Sequence, residues 1–70
     1  MTKPYWFKDV HKQLLLSWKE EDKAITAYRD RALQARQGGY STVADTYDHI
    51  RKEEEHHLTE INEAIKNLHP

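Results

Sequence analysis

Three side chains in this sequence of 70 residues are of types, and at spacings, that could bind a metal ion. Glu54 and His57 are three positions apart, so on a helix they project from the same side. Glu21 is a third acidic residue that interrupts an otherwise apolar helical pattern. Carboxylate and imidazole donors favour iron or manganese, and the absence of cysteine excludes thiolate zinc sites, iron–sulfur clusters and disulfides. These residue types therefore predict a site for a divalent cation.

Two helices are expected to position these residues. The only two glycines are adjacent, Gly38-Gly39, the prolines lie at the two ends, and strong helix formers fill the sequence between them. We therefore predict an all-α fold, a two-helix antiparallel hairpin in which Ser41 is the N-cap of the second helix. The expected boundaries are about 5–37 for helix 1, 38–40 for the Gly-Gly turn and about 41–68 for helix 2, in a single domain of residues 1–70.

The hairpin geometry brings the three residues to one level. In an antiparallel hairpin, residues equidistant from the turn lie opposite one another. With the turn centred between Gly38 and Gly39, Glu21 faces position 56, which lies between Glu54 and His57. All three side chains then lie about 26 Å from the turn, at about 1.5 Å per residue.

Each helix also carries a stripe of apolar and small residues that includes the three candidate ligands. The stripe of helix 1 consists of Val10, Leu14, Ser17, Glu21, Ala24, Tyr28 and Ala35, widened on one side by Trp18, Ile25 and Ala32. The stripe of helix 2 consists of Val43, Tyr47, Ile50, Glu54, His57, Ile61, Ile65 and Leu68. These stripes are too wide for one hairpin to cover, which predicts a homodimer that forms a four-helix bundle. Such a dimer would bring together four glutamates and two histidines, the ligand set of di-iron and di-manganese carboxylate bundles.

Composition excludes several other classes of function. The formal net charge is −1 and both signs are interspersed, so no basic face suited to nucleic acid is expected. The mean hydropathy is −1.03 and the longest apolar run is Leu14 to Leu16, so we expect no membrane association and a cytoplasmic protein. A chain this short rarely stabilises itself with one apolar core, so a metal or a partner subunit is expected to contribute.

The motifs Glu21-x6-Tyr28, Gly39-Tyr40 and Glu54-x-x-His57 resemble half of a rubrerythrin-type ferritin-like protein. The similar spacing covers residues 17 to 61 and includes Ala32, Ala44 and Tyr47. A chain with one copy of this helix pair is similar to the encapsulated ferritins, whose short subunits build a di-iron centre across a dimer interface. Lys23 departs from that pattern, because it stands where a further acidic residue would guide iron inward.

The resemblance implies a ferroxidase that oxidises Fe²⁺ with O₂ or peroxide, with two iron ions per dimer and manganese as the alternative metal. Glu21 and Glu54 would be bridging or chelating carboxylates and His57 a terminal ligand, and these three would be the catalytic residues. Tyr28 would hydrogen-bond to a ligand. Glu20 and Glu53, which precede the ligands Glu21 and Glu54 in sequence, would likewise lie around the metal ligands and support them without binding the metal.

Several alternatives stay open at this point. Glu53 and His56 repeat the Glu-x-x-His spacing, although we expect them at the rim of the site. Glu21 could instead form an ion pair with Lys19 or Arg51. The chain could be a structural or partner-binding hairpin without metal, or a di-metal peroxidase or oxygenase on the same residues. The aromatic run Tyr5-Trp6-Phe7 suggests contacts that would join dimers into a higher oligomer.

Overall fold

A computed structural model describes the backbone of residues 4–68 and the side chains of residues 8–68. The chain forms α1, Pro4–Gln37, and α2, Ser41–Lys66, and the two helices pack against each other. The predicted all-helical hairpin is therefore confirmed, and no strand occurs within residues 4–68. The side chains of the aromatic run at positions 5–7 lie outside the described residues.

The turn between the helices has the hydrogen bonds of a Schellman motif. The N–H of Tyr40 donates to the carbonyl of Ala35 at 2.8 Å, and the N–H of Gly39 donates to the carbonyl of Arg36 at 3.1 Å. Gly39 has φ +84°, a conformation in which a side chain is strained. Of the two glycines, Gly39 is thus the one that the backbone of this turn requires.

The start of α2 differs from the expectation that Ser41 caps it. Ser41 is the first helical residue, and Tyr40 occupies the N-cap position without a side-chain hydrogen bond. The reason is that the Schellman turn closes at Tyr40, whose carbonyl already accepts the N–H of Ala44 at 2.9 Å. The end of α2 also lies earlier than the expected position 68, because the helix ends at Lys66 and Asn67 is its C-cap.

Small and apolar residues form the seam between the helices. Ile25 and Ala32 on α1 and Ala44 on α2 are the buried hydrophobic residues of the described chain. Alanine side chains let two helix backbones approach closely, and Ala32 and Ala44 lie at nearly the same distance from the turn. The seam therefore follows the residues expected to widen the helix 1 stripe, rather than the centre of that stripe.

Much of the two predicted stripes remains uncovered and forms what we call the open face. Its members on α1 are Val10, Leu14, Ser17, Glu21, Ala24 and Tyr28, and on α2 they are Val43, Tyr47, Ile50, Glu54, His57 and Ile61. The rings of Tyr28 and Tyr47, one from each helix, lie 6.0 Å apart between centroids, so the two stripes meet on one side of the hairpin. Val10 and Val43 are among the exposed large hydrophobic residues.

The hairpin is a rod with extents of 56 × 14 × 13 Å. A rod only two helices wide has no interior beyond its seam, which limits how much apolar surface it buries. α1 has 34 residues and α2 has 26, so α1 is longer by about two turns. Within the described residues, neither helix has an apolar stretch long enough to cross a bilayer.

Ion pairs connect the helices near the turn. One nitrogen of Arg36 on α1, Nη2, lies 3.1 Å from the carboxylate of Asp45 and 3.0 Å from that of Asp48, both on α2. These side chains are largely exposed to solvent, where ion pairs contribute little to stability.

Candidate metal centre

The hairpin brings Glu21 of α1 together with Glu54 and His57 of α2. One ligand atom from each of the three residues lies within 4.8 Å of the other two. The Nδ1 atom of His57 is 3.8 Å from Glu21 Oε2 and 3.9 Å from Glu54 Oε2. We call these three residues the inner cluster. Within residues 8–68 it is the one group of three or more histidine, aspartate or glutamate side chains that converges in this way.

Burial differs among the members of the inner cluster. The side chains of Glu21 and Glu54 are 24% and 22% exposed, whereas that of His57 is 50% exposed. The two carboxylates thus lie largely out of water, and His57 lies at the solvent edge of the open face. A cation would therefore reach the inner cluster from the side of His57.

Glu21 lacks the partner that a buried carboxylate oxygen normally has. Its Oε2 atom is inaccessible to solvent and has no hydrogen-bond partner within the described part of the chain. Leaving such an atom unpaired costs about 1–3 kcal/mol, and more when the group is charged. Native proteins rarely keep such an arrangement unless a ligand or an ion compensates it.

The distances fit a cation better than they fit direct hydrogen bonds. Separations of 3.8 and 3.9 Å are too long for an N–H···O hydrogen bond. A first-row divalent cation binds nitrogen and oxygen at about 2.0–2.2 Å, so its donors lie about 3–4.4 Å from one another. The three donor atoms are therefore close to the spacing that a shared cation requires.

The basic residues that could have neutralised Glu21 lie elsewhere. Arg51 binds Glu55 at 2.7 Å and lies 3.8 Å from Asp48, both on its own helix. Lys19 is exposed, and among the described residues Glu21 has an ionic contact with His57 alone. The ion pair of Glu21 with Lys19 or Arg51, considered from the sequence, does not occur in this structure.

No protein-family model, curated protein or solved structure matches this chain. The likeness to ferritin-like proteins therefore rests on the residues and spacings described above.

The other predicted site residues, Tyr28, Glu20 and Glu53, have contacts with residues outside the inner cluster or are exposed. The Tyr28 ring packs against Tyr47, and the guanidinium of Arg31 lies 5.2 Å from the centre of that ring. Glu20 is exposed on α1, and the carboxylate of Glu53 lies 2.7 Å from His49 Nε2.

Sequence reasoning did not single out two histidine–glutamate pairs on the exposed side of α2. His49 pairs with Glu53, and His56 pairs with Glu60 at 3.0 Å. Each pair has the i, i+4 spacing that places side chains together on a helix surface. That spacing is visible in the sequence and could have identified them.

Proposed function

We propose that this chain is a di-iron carboxylate protein with ferroxidase or iron-handling activity, whose metal centre forms across a homodimer. The observation that carries the proposal is the convergence of Glu21, Glu54 and His57, with a buried Glu21 oxygen that has no partner. A metal ion bound to Glu21 would be the partner of this oxygen, which has no hydrogen-bond partner in the described part of the single hairpin.

The number of donors supports a second copy of the chain. The inner cluster offers three donor residues, whereas iron and manganese sites in helical bundles use more carboxylates per metal pair. A symmetric dimer doubles the set to four glutamates and two histidines. The open face supports the same arrangement, because a dimer that joins two inner clusters would also cover the half-exposed apolar residues around them.

The donor chemistry supports iron. Carboxylate oxygens and one imidazole per chain suit iron and manganese, and bridging carboxylates can hold two cations about 3.5–4 Å apart. Four carboxylates balance the charge of two divalent cations, which makes burial of the pair tolerable. Glu21 and Glu54 would bridge or chelate the metals, and His57 would bind one through Nδ1, the atom that faces both carboxylates.

Fe²⁺ would be the substrate: two Fe²⁺ ions would each lose one electron, and these two electrons with two protons would reduce O₂ to hydrogen peroxide, or hydrogen peroxide to two molecules of water. The protein residues would hold the ions and exclude water from the carboxylate side of the centre. His57, half exposed in the single hairpin, would be covered in the dimer together with the rest of the open face.

The test is an anaerobic titration of the metal-free protein with Fe²⁺, followed by air, with absorbance in the oxo-bridged ferric region and molecular mass measured in parallel. We expect saturation at about one iron per chain on a dimer, consistent with two metals per four-helix bundle. Glu54→Ala and His57→Ala should each abolish stoichiometric binding and the ferric band. Glu63→Ala removes an exposed carboxylate from the same helix and should change neither.

The outcomes separate the remaining alternatives. No binding, or unchanged binding in both site variants, would mean that the inner cluster is a polar layer of a structural hairpin. Faster oxidation with peroxide than with O₂ would favour a di-metal peroxidase on the same residues.

A further inference from the structure

The exposed flank of α2 carries two histidine–glutamate pairs that the proposed function does not use. His49 Nε2 lies 2.7 Å from Glu53 Oε1, and His56 Nε2 lies 3.0 Å from Glu60 Oε1. None of the four residues belongs to the seam or to the open face. The two imidazoles are 75% and 74% exposed, so incoming solutes reach them freely.

The His49–Glu53 pair has the spacing of a hydrogen-bonded ion pair, and this spacing is also close to that of two donors on one cation. Two donors bound side by side to a cation at about 2.1 Å lie about 3 Å apart. The observed 2.7 Å separation between imidazole nitrogen and carboxylate oxygen is close to this value. A cation could enter between these two atoms with a small opening of the two side chains.

His56 supplies a further donor within the same surface depression. This depression has a volume of about 460 Å³ and is lined by His49, Lys52, Glu53, His56 and His57. Glu53 precedes His56 by three residues, so their side chains lie on neighbouring turns of the same surface. His57 also belongs to the inner cluster, so the depression adjoins the candidate metal centre.

We propose that His49, Glu53 and His56 form a second cation site, the flank site, on the outer surface of α2. His49 and Glu53 chelate the ion, and His56 turns from Glu60 to become the third protein donor. Two imidazoles and one carboxylate select first-row divalent cations such as Ni²⁺, Zn²⁺ and Fe²⁺ over Mg²⁺ and Ca²⁺, which prefer oxygen donors. An ion bound here lies next to His57, on the solvent side of the inner cluster.

Lys52 sets the strength of this site. Lys52 is among the residues that line the same depression, and its positive charge repels a cation, so the flank site should bind more weakly than the inner cluster. Lys52→Gln should therefore tighten binding at the flank site by about two- to fivefold, in the range of surface charge interactions.

The experiment is calorimetric titration with Ni²⁺, which resists oxidation in air, at a fixed concentration of the full chain. Wild-type protein should show two classes of site. His49→Gln/His56→Gln should weaken the flank class by about tenfold or more, because it loses two donors to a charged ligand. Glu63→Gln, on the same helix, is the matched control and should keep both classes. Circular dichroism should show equal helicity, because the substituted side chains are exposed.

A second background separates this proposal from the proposed function. Glu21→Gln/Glu54→Gln should remove the inner class and keep the flank class. Flank binding that is unchanged in His49→Gln/His56→Gln, or all binding lost in Glu21→Gln/Glu54→Gln, would overturn the flank site. Both classes retained in Glu21→Gln/Glu54→Gln would instead count against the proposed di-iron centre and leave the flank site supported.

Discussion

Replacing Glu21 by glutamine should have opposite effects on the metal-free and the metal-loaded protein. In the metal-free chain, the Glu21 and Glu54 ligand oxygens lie within 4.8 Å of each other, and both side chains are largely buried. Two like charges at this distance repel by about 3 kcal/mol at an effective dielectric constant of 20, and by about 1 kcal/mol at that of water. Because both side chains remain 24% and 22% exposed and solvent screens part of this repulsion, we expect Glu21→Gln to stabilise the metal-free protein by about 1 kcal/mol.

The metal-loaded protein should respond in the opposite direction. A cation at one hundred times its dissociation constant stabilises the wild-type fold by about 2.7 kcal/mol. Glu21→Gln removes a charged ligand and should lose most of this gain. The ranking of the two proteins should therefore reverse on adding metal, which a purely structural role for Glu21 does not predict.

The assay is thermal unfolding followed by circular dichroism, at one fixed chain concentration, in chelator and again in excess Mn²⁺. A difference of 1 kcal/mol corresponds to about 4–8 °C in a domain of this size. Asp22→Asn is the matched control, because it removes one charge from the adjacent, exposed position of α1. A metal-free Glu21→Gln protein that melts below wild type, or one that keeps the full Mn²⁺ shift, would refute the reasoning.

Three further predictions concern the fold. Gly39→Ala should destabilise the hairpin by about 1 kcal/mol in urea unfolding, because φ is +84° there. Gly38→Ala should cost less, because its Cβ would make an ordinary contact with the carbonyl oxygen of Gln34 at 3.5 Å and a tight contact, at 3.2 Å, only with the movable Tyr40 ring. Ala44→Leu should destabilise the hairpin by about 1–3 kcal/mol in the same assay, because Ala44 is fully buried in the seam. Ala64→Leu, at an exposed position of the same helix, should have little effect, and equal effects of the two substitutions would contradict the described seam. Arg36→Gln should lower the stability of the hairpin by less than about 1 kcal/mol, because the contacts of Arg36 with Asp45 and Asp48 are solvent-exposed. This loss should shrink in high salt, which screens exposed ion pairs, and a loss that persists in high salt would argue against this account.

The sequence was sufficient to predict the hairpin because its helix-breaking residues are so few. Glycine occurs only at positions 38 and 39, and the structure has its turn there. Counting outward from that turn also predicted the level at which Glu21 meets Glu54 and His57. These features depend only on the position of the turn and on the regular rise of a helix per residue, and both can be read from a single sequence.

Features that depend on a choice among several local solutions were harder to predict. Ser41 is a good N-cap residue, but the Schellman turn fixes the cap one residue earlier, at Tyr40. The seam lies on the Ile25 and Ala32 side of the α1 stripe, because a small residue such as Ala32 allows the two helices to approach closely. The width of the apolar stripe in the sequence does not show which side of it the second helix contacts. The partner of Arg51 depends on its side-chain conformation, which the sequence does not give: Arg51 binds Glu55 on its own helix and not Glu21 on the other helix.

Metal binding and assembly should be linked in this chain, because both would use the same side of the hairpin. The inner cluster lies in the open face, among half-exposed apolar residues such as Val10 and Val43. On the proposed function, a partner that covers this face also supplies the remaining ligands, so each process favours the other. Linkage then requires that metal tightens the dimer by the same factor by which dimerisation tightens metal binding. A rod two helices wide, with a seam of small residues, has little other means of stabilising two carboxylates that are only 24% and 22% exposed.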